Sequence, residues 1–298
     1  MTLKTTFTTL GTAGGPVPKL NRAQPAHLIS RGDRRILIDC GEGAMDQVQR
    51  SGTDFRQVRH IFITHHHFDH IGSLFACLGK LMMMQSKEPL KIYGPIGTRR
   101  IIDALNTACD VTWEIGLGFP GQKGVHPRDF VQVQELTPGD EVEIDDIRFT
   151  CCENTHFRSE DAFGQDGPVS LSYRIDAPDR SFVFTGDTGP CAALEKLAKG
   201  VDVLVGELMD IEGTMERTRL QNPNMPTDRI DLMARHMAEH HLVAADLGSL
   251  AALAKVGHVV AVHIPLDTIN AVTAPSYVAQ IASKFDGEIT IANDFDVF

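Results

Sequence analysis

The stretch FITHHHFDHIG, residues 62–72, places four histidines and one aspartate within six consecutive positions. In a strand, residues two apart share a face, so His65 and His67 can bind one metal ion together. Asp69 and His70 follow at the turn into a helix and can bind a second ion. Because imidazole nitrogen and carboxylate oxygen are ligands of zinc, this stretch predicts a metal site.

The sequence around this stretch predicts an α/β protein in which the histidine cluster follows a short buried strand. Strand-like and helix-like segments alternate in two similar halves, without a composition break or a low-complexity linker. We therefore expect a single domain over residues 1–298, with two sheets sandwiched between helices. Residues 112–130 and 212–228 are predicted to be irregular loops that shape the active site.

The composition is that of an ordinary soluble enzyme, with 42% hydrophobic and 22% charged residues among 298. The formal net charge is −11 and there is no dense run of lysine and arginine, so an extended contact with a phosphate backbone is not expected. No apolar run approaches the roughly 20 residues that a membrane span needs. The first residues lack the apolar block of a signal peptide, and we expect a cytoplasmic protein.

The cysteine pattern argues against a disulfide framework. Six cysteines are scattered along the chain without a CxxC motif, and Cys151 and Cys152 are adjacent in a predicted strand. We therefore expect reduced, buried thiols.

Four further motifs end a strand-like segment with a polar side chain. They are LIDCGEG with Asp39, ENTHFR with His156, FVFTGDTGP with Asp187 and VAVHIP with His263. Together with the histidine cluster, they resemble in order and spacing the metallo-β-lactamase-fold hydrolases, over about residues 3–265. The resemblance is to the branch that includes ribonuclease Z and arylsulfatase-like proteins.

This resemblance implies a four-layer αββα sandwich with a dinuclear metal site and seven ligands. One ion would be held by His65, His67 and His156, the other by Asp69, His70 and His263, and Asp187 would bridge the two. The expected ions are two Zn²⁺, although metal choice depends partly on availability and leaves Mn²⁺ and Fe²⁺ open. A hydroxide shared by the ions would attack the substrate, because coordination lowers the pKa of water to about 7. The resemblance also implies a homodimer.

A histidine upstream of the last ligand is the predicted proton donor. His241 precedes His263 by 22 residues and is similar to a histidine of this branch that supports the leaving oxygen. The branch often has threonine two positions later, where this chain has Val243. Glu207, in LVGEL, is predicted to orient His241 by a hydrogen bond or to be structural. The predicted catalytic residues are Asp69, which is also a ligand, His241 and Glu207.

The sequence leaves three kinds of activity open. We expect a hydrolase acting on a small molecule, either an ester or lactone, a phosphodiester or an aryl sulfate. The first alternative is a ribonuclease Z-like endonuclease for the 3′ ends of transfer-RNA precursors. That group generally carries a long RNA-binding arm between the positions of His156 and Asp187, where this chain has only 30 residues. An iron-dependent redox relative of the fold is a lesser alternative.

A rival motif lies close to the proposed proton donor. Residues 236–240, HMAEH, fit the H-x-x-E-H pattern of inverted zinc proteases, since His236 and His240 share one face of a helix. The complete ligand set elsewhere favours a polar helix face here. A non-catalytic binding protein that kept the fold and lost its activity is also disfavoured, because none of the seven ligands is missing.

Overall fold

The computed structural model describes residues 3–116, 124–157, 167–267 and 269–298. The chain divides into two compact units. Unit 1 comprises residues 1–11, 23–136 and 294–298, and unit 2 comprises residues 12–22 and 137–293. Each unit contains one β-sheet with helices, so the predicted α/β class is confirmed. The assignment of residues 1–298 to one domain stays a prediction.

Unit 1 is a six-stranded sheet with helices. Its strands are β1 (Thr5–Gly11), β2 (Ala26–Arg31), β3 (Arg34–Ile38), β4 (Val58–Phe62), β5 (Leu90–Pro95) and β6 (Val131–Leu136). Its helices are α1 (Ala44–Arg50), α2 (Phe68–Ile71), α3 (Leu74–Met83), α4 (Thr98–Ile115) and α5 (Pro127–Phe130), with a 3₁₀ turn at Phe55–Gln57.

Unit 2 is a seven-stranded sheet with helices. Its strands are β7 (Glu141–Ile144), β8 (Ile147–Glu153), β9 (Leu171–Asp176), β10 (Ser181–Phe184), β11 (Val203–Glu207), β12 (His258–Val262) and β13 (Glu288–Ile291). Its helices are α6 (Ala192–Leu197), α7 (Ile211–Gln221), α8 (Thr227–His240), α9 (Ala244–Ala254) and α10 (Ala274–Ala282).

The two sheets share one plan, as the similar halves of the sequence predict. The first has the order β1-β2-β3-β4-β5-β6, with antiparallel pairs up to β3 and parallel pairs after it. The second has the order β13-β12-β11-β10-β9-β8-β7, with parallel pairs from β13 to β10 and antiparallel pairs from β10 to β7. The carboxyl ends of neighbouring parallel strands meet at one edge of a sheet, which is where such proteins gather functional side chains.

Each unit has its own apolar core between sheet and helices. In unit 1, β-strand residues such as Leu37 and Ile61 pack with Met45 of α1 and Leu78 of α3. In unit 2, Leu204 and Val259 of the parallel strands belong to one buried cluster with Leu247 of α9. These near-continuous apolar strands are typical of parallel sheets that are covered by helices.

The last residues of the chain complete the edge of the first sheet. Phe7 and Phe298 exchange two backbone hydrogen bonds of 3.1 and 3.0 Å, and the two rings stack with their centres 4.9 Å apart. The amide of Thr9 donates to the carbonyl of Asp296 over 3.0 Å, and the Arg50 guanidinium lies over the Phe295 ring. β1 therefore does not present a bare edge along this stretch.

The expectation of an irregular loop over residues 112–130 is wrong at both ends. α4 continues to Ile115 because Leu105, Cys109 and Trp113 repeat at four-residue spacing and pack on the unit 1 core. It ends at Gly116, whose φ of 65° suits glycine. α5 is capped by the His126 side chain, which accepts from the Arg128 amide. Residues 117–123 lie outside the described residues.

The expectation of an irregular loop over residues 212–228 is also wrong. The Asp210 side chain caps α7 by accepting from the Gly213 amide over 3.0 Å, and the Tyr277 hydroxyl donates to the same carboxylate. The helix is polar in composition, and Met215 is the residue that it buries. Only a short connection separates α7 from α8.

The structure agrees with the expected reduced thiols. Each of the six cysteines is a free thiol, and all six lie among the described residues. Over the described ranges, no helix has the length and apolar character that crossing a membrane requires.

Candidate metal centre

The histidine cluster of unit 1 lies directly after β4 and runs into α2. His65 is fully buried, whereas His67, the residue that precedes α2, is exposed. The ring centre of His65 lies 4.8 Å from that of His67 and 4.1 Å from that of His70. The Nε2 atom of His70 lies 3.6 Å from a carboxylate oxygen of Asp69. Unit 1 thus brings together the four predicted ligands that its own sequence contains.

A carboxylate from the neighbouring strand orients this cluster. Asp39 follows β3, and its Oδ2 atom accepts a hydrogen bond of 2.7 Å from Nδ1 of His70. The same carboxylate accepts from the amide and the hydroxyl of Thr64. Because Nδ1 of His70 carries the proton, its Nε2 atom has the lone pair that a metal ion needs. Asp39 has a φ of 59°, an uncommon value for a residue other than glycine.

His66 faces away from the other histidines, as the strand alternation predicts. Its Nε2 atom is 2.8 Å from the hydroxyl of Thr98, which opens α4. This contact gives His66 a structural role.

The functional side chains of unit 2 follow three neighbouring parallel strands. Asp187 follows β10, Glu207 ends β11 and His263 follows β12. One ligand atom of each lies within 4.8 Å of the others, and all three residues are buried. The Nε2 atom of His263 is 3.1 Å from Oδ1 of Asp187. The carboxyl edge of the parallel strands therefore gathers two predicted ligands and one predicted catalytic residue.

The segment before β2 holds His263 in place. The amide of Gly14 donates to the carbonyl of Ile264 over 2.9 Å, and the amide of Ile264 donates to the carbonyl of Thr12 over 2.8 Å. A Cβ atom on Gly14 would come within 2.7 Å of Nδ1 of His263, so only glycine fits. His263 itself has a φ of 52°. The glycine-rich stretch near residue 14 thus supports a predicted ligand, a role that its composition alone did not indicate.

His156 is oriented by the backbone at the end of α8. Its Nδ1 atom donates to the carbonyl of His240 over 3.3 Å, because a carbonyl can only accept. Its Nε2 atom, 3.9 Å from Oδ2 of Asp187, therefore carries the lone pair. His240 in turn donates from Nδ1 to the carbonyl of Thr155 over 2.6 Å. No sequence signal points to a backbone carbonyl as an orienting group, because every residue has one.

Glu207 and His241 form a buried hydrogen-bonded pair. Nδ1 of His241 is 2.7 Å from Oε2 of Glu207, and the amide of Thr188 donates to Oε1 over 2.5 Å. Burial raises the pKa of the Glu207 carboxyl, His241 opposes this, and the charge of Asp187 raises the pKa further. His241 lies between α8 and α9, and its ring centre is 5.0 Å from that of His156.

A comparison with models of known protein families shows which family this chain belongs to. The model of the beta-lactamase superfamily domain matches residues 34–264. The chain belongs to the beta-lactamase superfamily. The superfamily contains metal-dependent hydrolases, and membership implies divalent metal binding by the His and Asp clusters. The predicted membership of the metallo-β-lactamase-fold hydrolases is therefore confirmed.

Relatives within the superfamily span nearly the whole chain. Ribonuclease Z of Mycobacterium avium is 28% identical over 298 residues, which cover 96% of this chain and 95% of the relative. The metallo-beta-lactamase fold protein YhfI from Bacillus subtilis has a TM-score of 0.69 at 17% identity and covers 99% of this chain and 98% of its own. The short form of human tRNase Z has a TM-score of 0.65 at 20% identity and covers 98% of each chain. These structures confirm the predicted metallo-β-lactamase fold.

The expected partner, a small molecule with nucleic acid unlikely, is wrong. The curated relatives that span this chain are ribonuclease Z proteins, whose name states an activity on RNA. The first argument against RNA was a missing arm, yet the chain covers 95% of the length of such a relative. The second was the net charge of −11, which is a sum over the whole surface, whereas contact with RNA depends on the local charges at the site.

Proposed function

We propose that the protein is a metal-dependent phosphodiesterase of the ribonuclease Z type that cleaves transfer-RNA precursors at their 3′ end. The observation that carries the proposal is the similarity to ribonuclease Z proteins over almost the full length of both chains. The chemistry of the site supports it, because a buried histidine–carboxylate pair beside metal-type ligands suits hydrolysis of a phosphodiester.

The donors suit the two metal ions that the superfamily implies. We propose the ligand set that the resemblance implies, which is His65, His67, Asp69, His70, His156, Asp187 and His263. The donors are imidazole and carboxylate groups, and in His70 and His156 a hydrogen bond at Nδ1 leaves Nε2 available. The ions would supply Lewis acidity and lower the pKa of a water molecule to about 7. Zinc is the proposed metal because this donor set suits it, with manganese or iron as alternatives.

The protein's own groups then handle the proton of the leaving oxygen. Glu207 accepts from Nδ1 of His241 and holds the ring in one orientation. Protonated at both nitrogens, His241 would pass its Nε2 proton to the 3′ oxygen of the RNA as the phosphorus–oxygen bond breaks. A positioned acid of this kind contributes about 10²- to 10⁴-fold to the rate. Asp69 is proposed to act with this pair while serving as a ligand.

The test combines metal analysis with cleavage of one defined RNA. The purified protein should contain about two metal ions per chain and should cut a transfer-RNA precursor with a short 3′ trailer at one position. Asp187→Ala should lose metal and activity together. His241→Ala should keep its metal and lose at least about 100-fold in turnover.

His258→Gln is the matched control, because His258 is a buried histidine at the opposite end of β12 from His263 and should not affect cleavage. A metal-loaded protein that leaves the precursor intact would refute the proposed function. A fully active His241→Ala variant would refute only the assigned proton donor.

We also propose a homodimer in the cytoplasm, which rests on the resemblance and on the location of transfer-RNA precursors. Sedimentation of the pure protein gives the oligomeric state.

A further inference from the structure

His236 is the exposed member of a cluster of four imidazole rings in unit 2. Its ring centre lies 4.9 Å from that of His240, 6.0 Å from that of His241 and 6.3 Å from that of His156. His236 and His240 are four residues apart on α8 and so share one face of the helix. His236 is exposed, while His240, His241 and His156 are each at most 6% exposed.

The three buried histidines of this cluster are already held by polar groups of unit 2. His240 donates to the carbonyl of Thr155, His241 is paired with Glu207, and His156 donates to the carbonyl of His240. These hydrogen bonds connect the end of α8 to Thr155, His156 and Glu207. The position of the His236 ring relative to His241 is therefore set by a fixed helix rather than by a loose loop.

We propose that His236 contacts the RNA substrate by donating a hydrogen bond to a phosphate next to the scissile one. This inference rests on the proposed function and adds a residue that binds the substrate. An RNA strand whose scissile phosphate lies at His241 must continue past the rings around it, and His236 is the ring of the cluster that solvent reaches. The residue belongs to the HMAEH motif of residues 236–240, and the proposed mechanism gives the side chain of His236 no other part.

The chemistry of imidazole fits this contact. Both neutral tautomers carry an N–H donor, so the contact does not require a charged ring. Phosphate oxygens are charged acceptors, and hydrogen bonds to charged groups are stronger than those between neutral groups. Contacts to phosphate position a nucleic acid without reading its sequence, which suits an enzyme that acts on many precursors.

The experiment measures steady-state cleavage of a transfer-RNA precursor by metal-loaded wild type and variants, with the metal content of each sample determined. His236→Ala should raise KM about tenfold, the loss expected for one hydrogen bond to a charged group, with kcat within about twofold. His236→Gln retains an N–H donor and should recover most of this loss. Asp231→Ala changes an exposed residue on the same helix and should match wild type.

A substrate with one neutral methylphosphonate identifies the phosphate. Placed in turn on either side of the scissile linkage, it should raise the KM of wild type at one position and leave the KM of His236→Ala unchanged there. Non-additivity of this kind is the signature of a direct contact.

Two results would overturn the inference while the proposed function stands. One is an unchanged KM for His236→Ala, and the other is a His236→Gln variant no better than alanine. An unchanged KM with a lower kcat or a lower metal content would mean that His236 acts through His156 or His241. If wild type leaves the RNA intact, the proposed function fails first and takes this inference with it.

Discussion

Asp39 binds His70 through the ring nitrogen that is not the proposed metal donor. The carboxylate is buried, and it also accepts from the amide and hydroxyl of Thr64. Such a partner fixes the tautomer of the ligand and raises its basicity. If His70 is a ligand as proposed, the contacts from Thr64 to Asp39 to His70 predict that metal affinity depends on Asp39.

Asp39→Asn is expected to weaken metal binding without unfolding the protein. An amide in place of the carboxylate keeps the shape of the side chain but can no longer accept from both partners as a charged group. Loss of a partner of this kind lowers metal affinity about 10- to 100-fold. Competition with a chelator measures the effect.

Asp33→Asn is the control for this substitution. The Asp33 side chain is 92% exposed, so the metal affinity of the Asp33→Asn variant should equal that of wild type. An Asp39→Asn variant that competes with the chelator as well as wild type does would show that His70 needs no carboxylate to bind metal.

At the scale of elements, the sequence predicted positions better than boundaries. His65 could be located because its histidine-rich motif follows a recognisable apolar strand, and Asp187 and His263 because their motifs resemble those of a known family in order and spacing. α7 could not, because Gly213 and a polar composition hide a helix that Asp210 starts. The support that Gly14 gives to His263 was equally hidden, since it depends on a contact over some 250 residues of sequence.

The C-terminal segment at the edge of β1 should contribute measurably to stability. Phe298→Ala removes the stack on Phe7 and part of its buried area, and we expect a loss of about 1 to 2 kcal/mol in the free energy of unfolding. Denaturant unfolding measures it. Val297→Ala is the neighbouring control, because Val297 is 64% exposed and its loss should stay within about 0.5 kcal/mol. Equal losses for the two variants would mean that the stack contributes nothing.

At the scale of the whole molecule, the substrate class was the least predictable property. The proposed ligands could be named from one sequence, because their motifs resemble those of a known family in order and spacing. The choice between RNA and a small molecule depends on the surface around the site, which a net charge of −11 averages away. Similarity to ribonuclease Z proteins over nearly the whole chain is what favours RNA in the proposed function.

The stability of the protein should depend on pH through His258. Burial lowers the pKa of His258 below the ordinary 6.5, Glu288 opposes this and Arg180 adds to it. The unfolded chain therefore binds the proton more readily than the folded one. This contribution is complete above about pH 6.5 and is lost as the pH falls from there towards the lower pKa of the folded state.

His258→Gln tests this dependence. Glutamine cannot be protonated but can still reach the hydroxyl of Thr290, which lies 3.0 Å from Nε2 of His258. Unfolding of both proteins at several pH values should give a constant difference above about pH 7.5 and a shift in favour of the variant in acid. A difference that is the same at every pH would contradict the lowered pKa.

The pairing of Phe7 with Phe298 also affects the order of events during synthesis. β1 leaves the ribosome before the residues that cover its edge, which follow some 290 positions later. At 5 to 20 residues per second, the interval is about 15 to 60 s. During that time the nascent strand has an open edge, which is exposed to pairing with other strands.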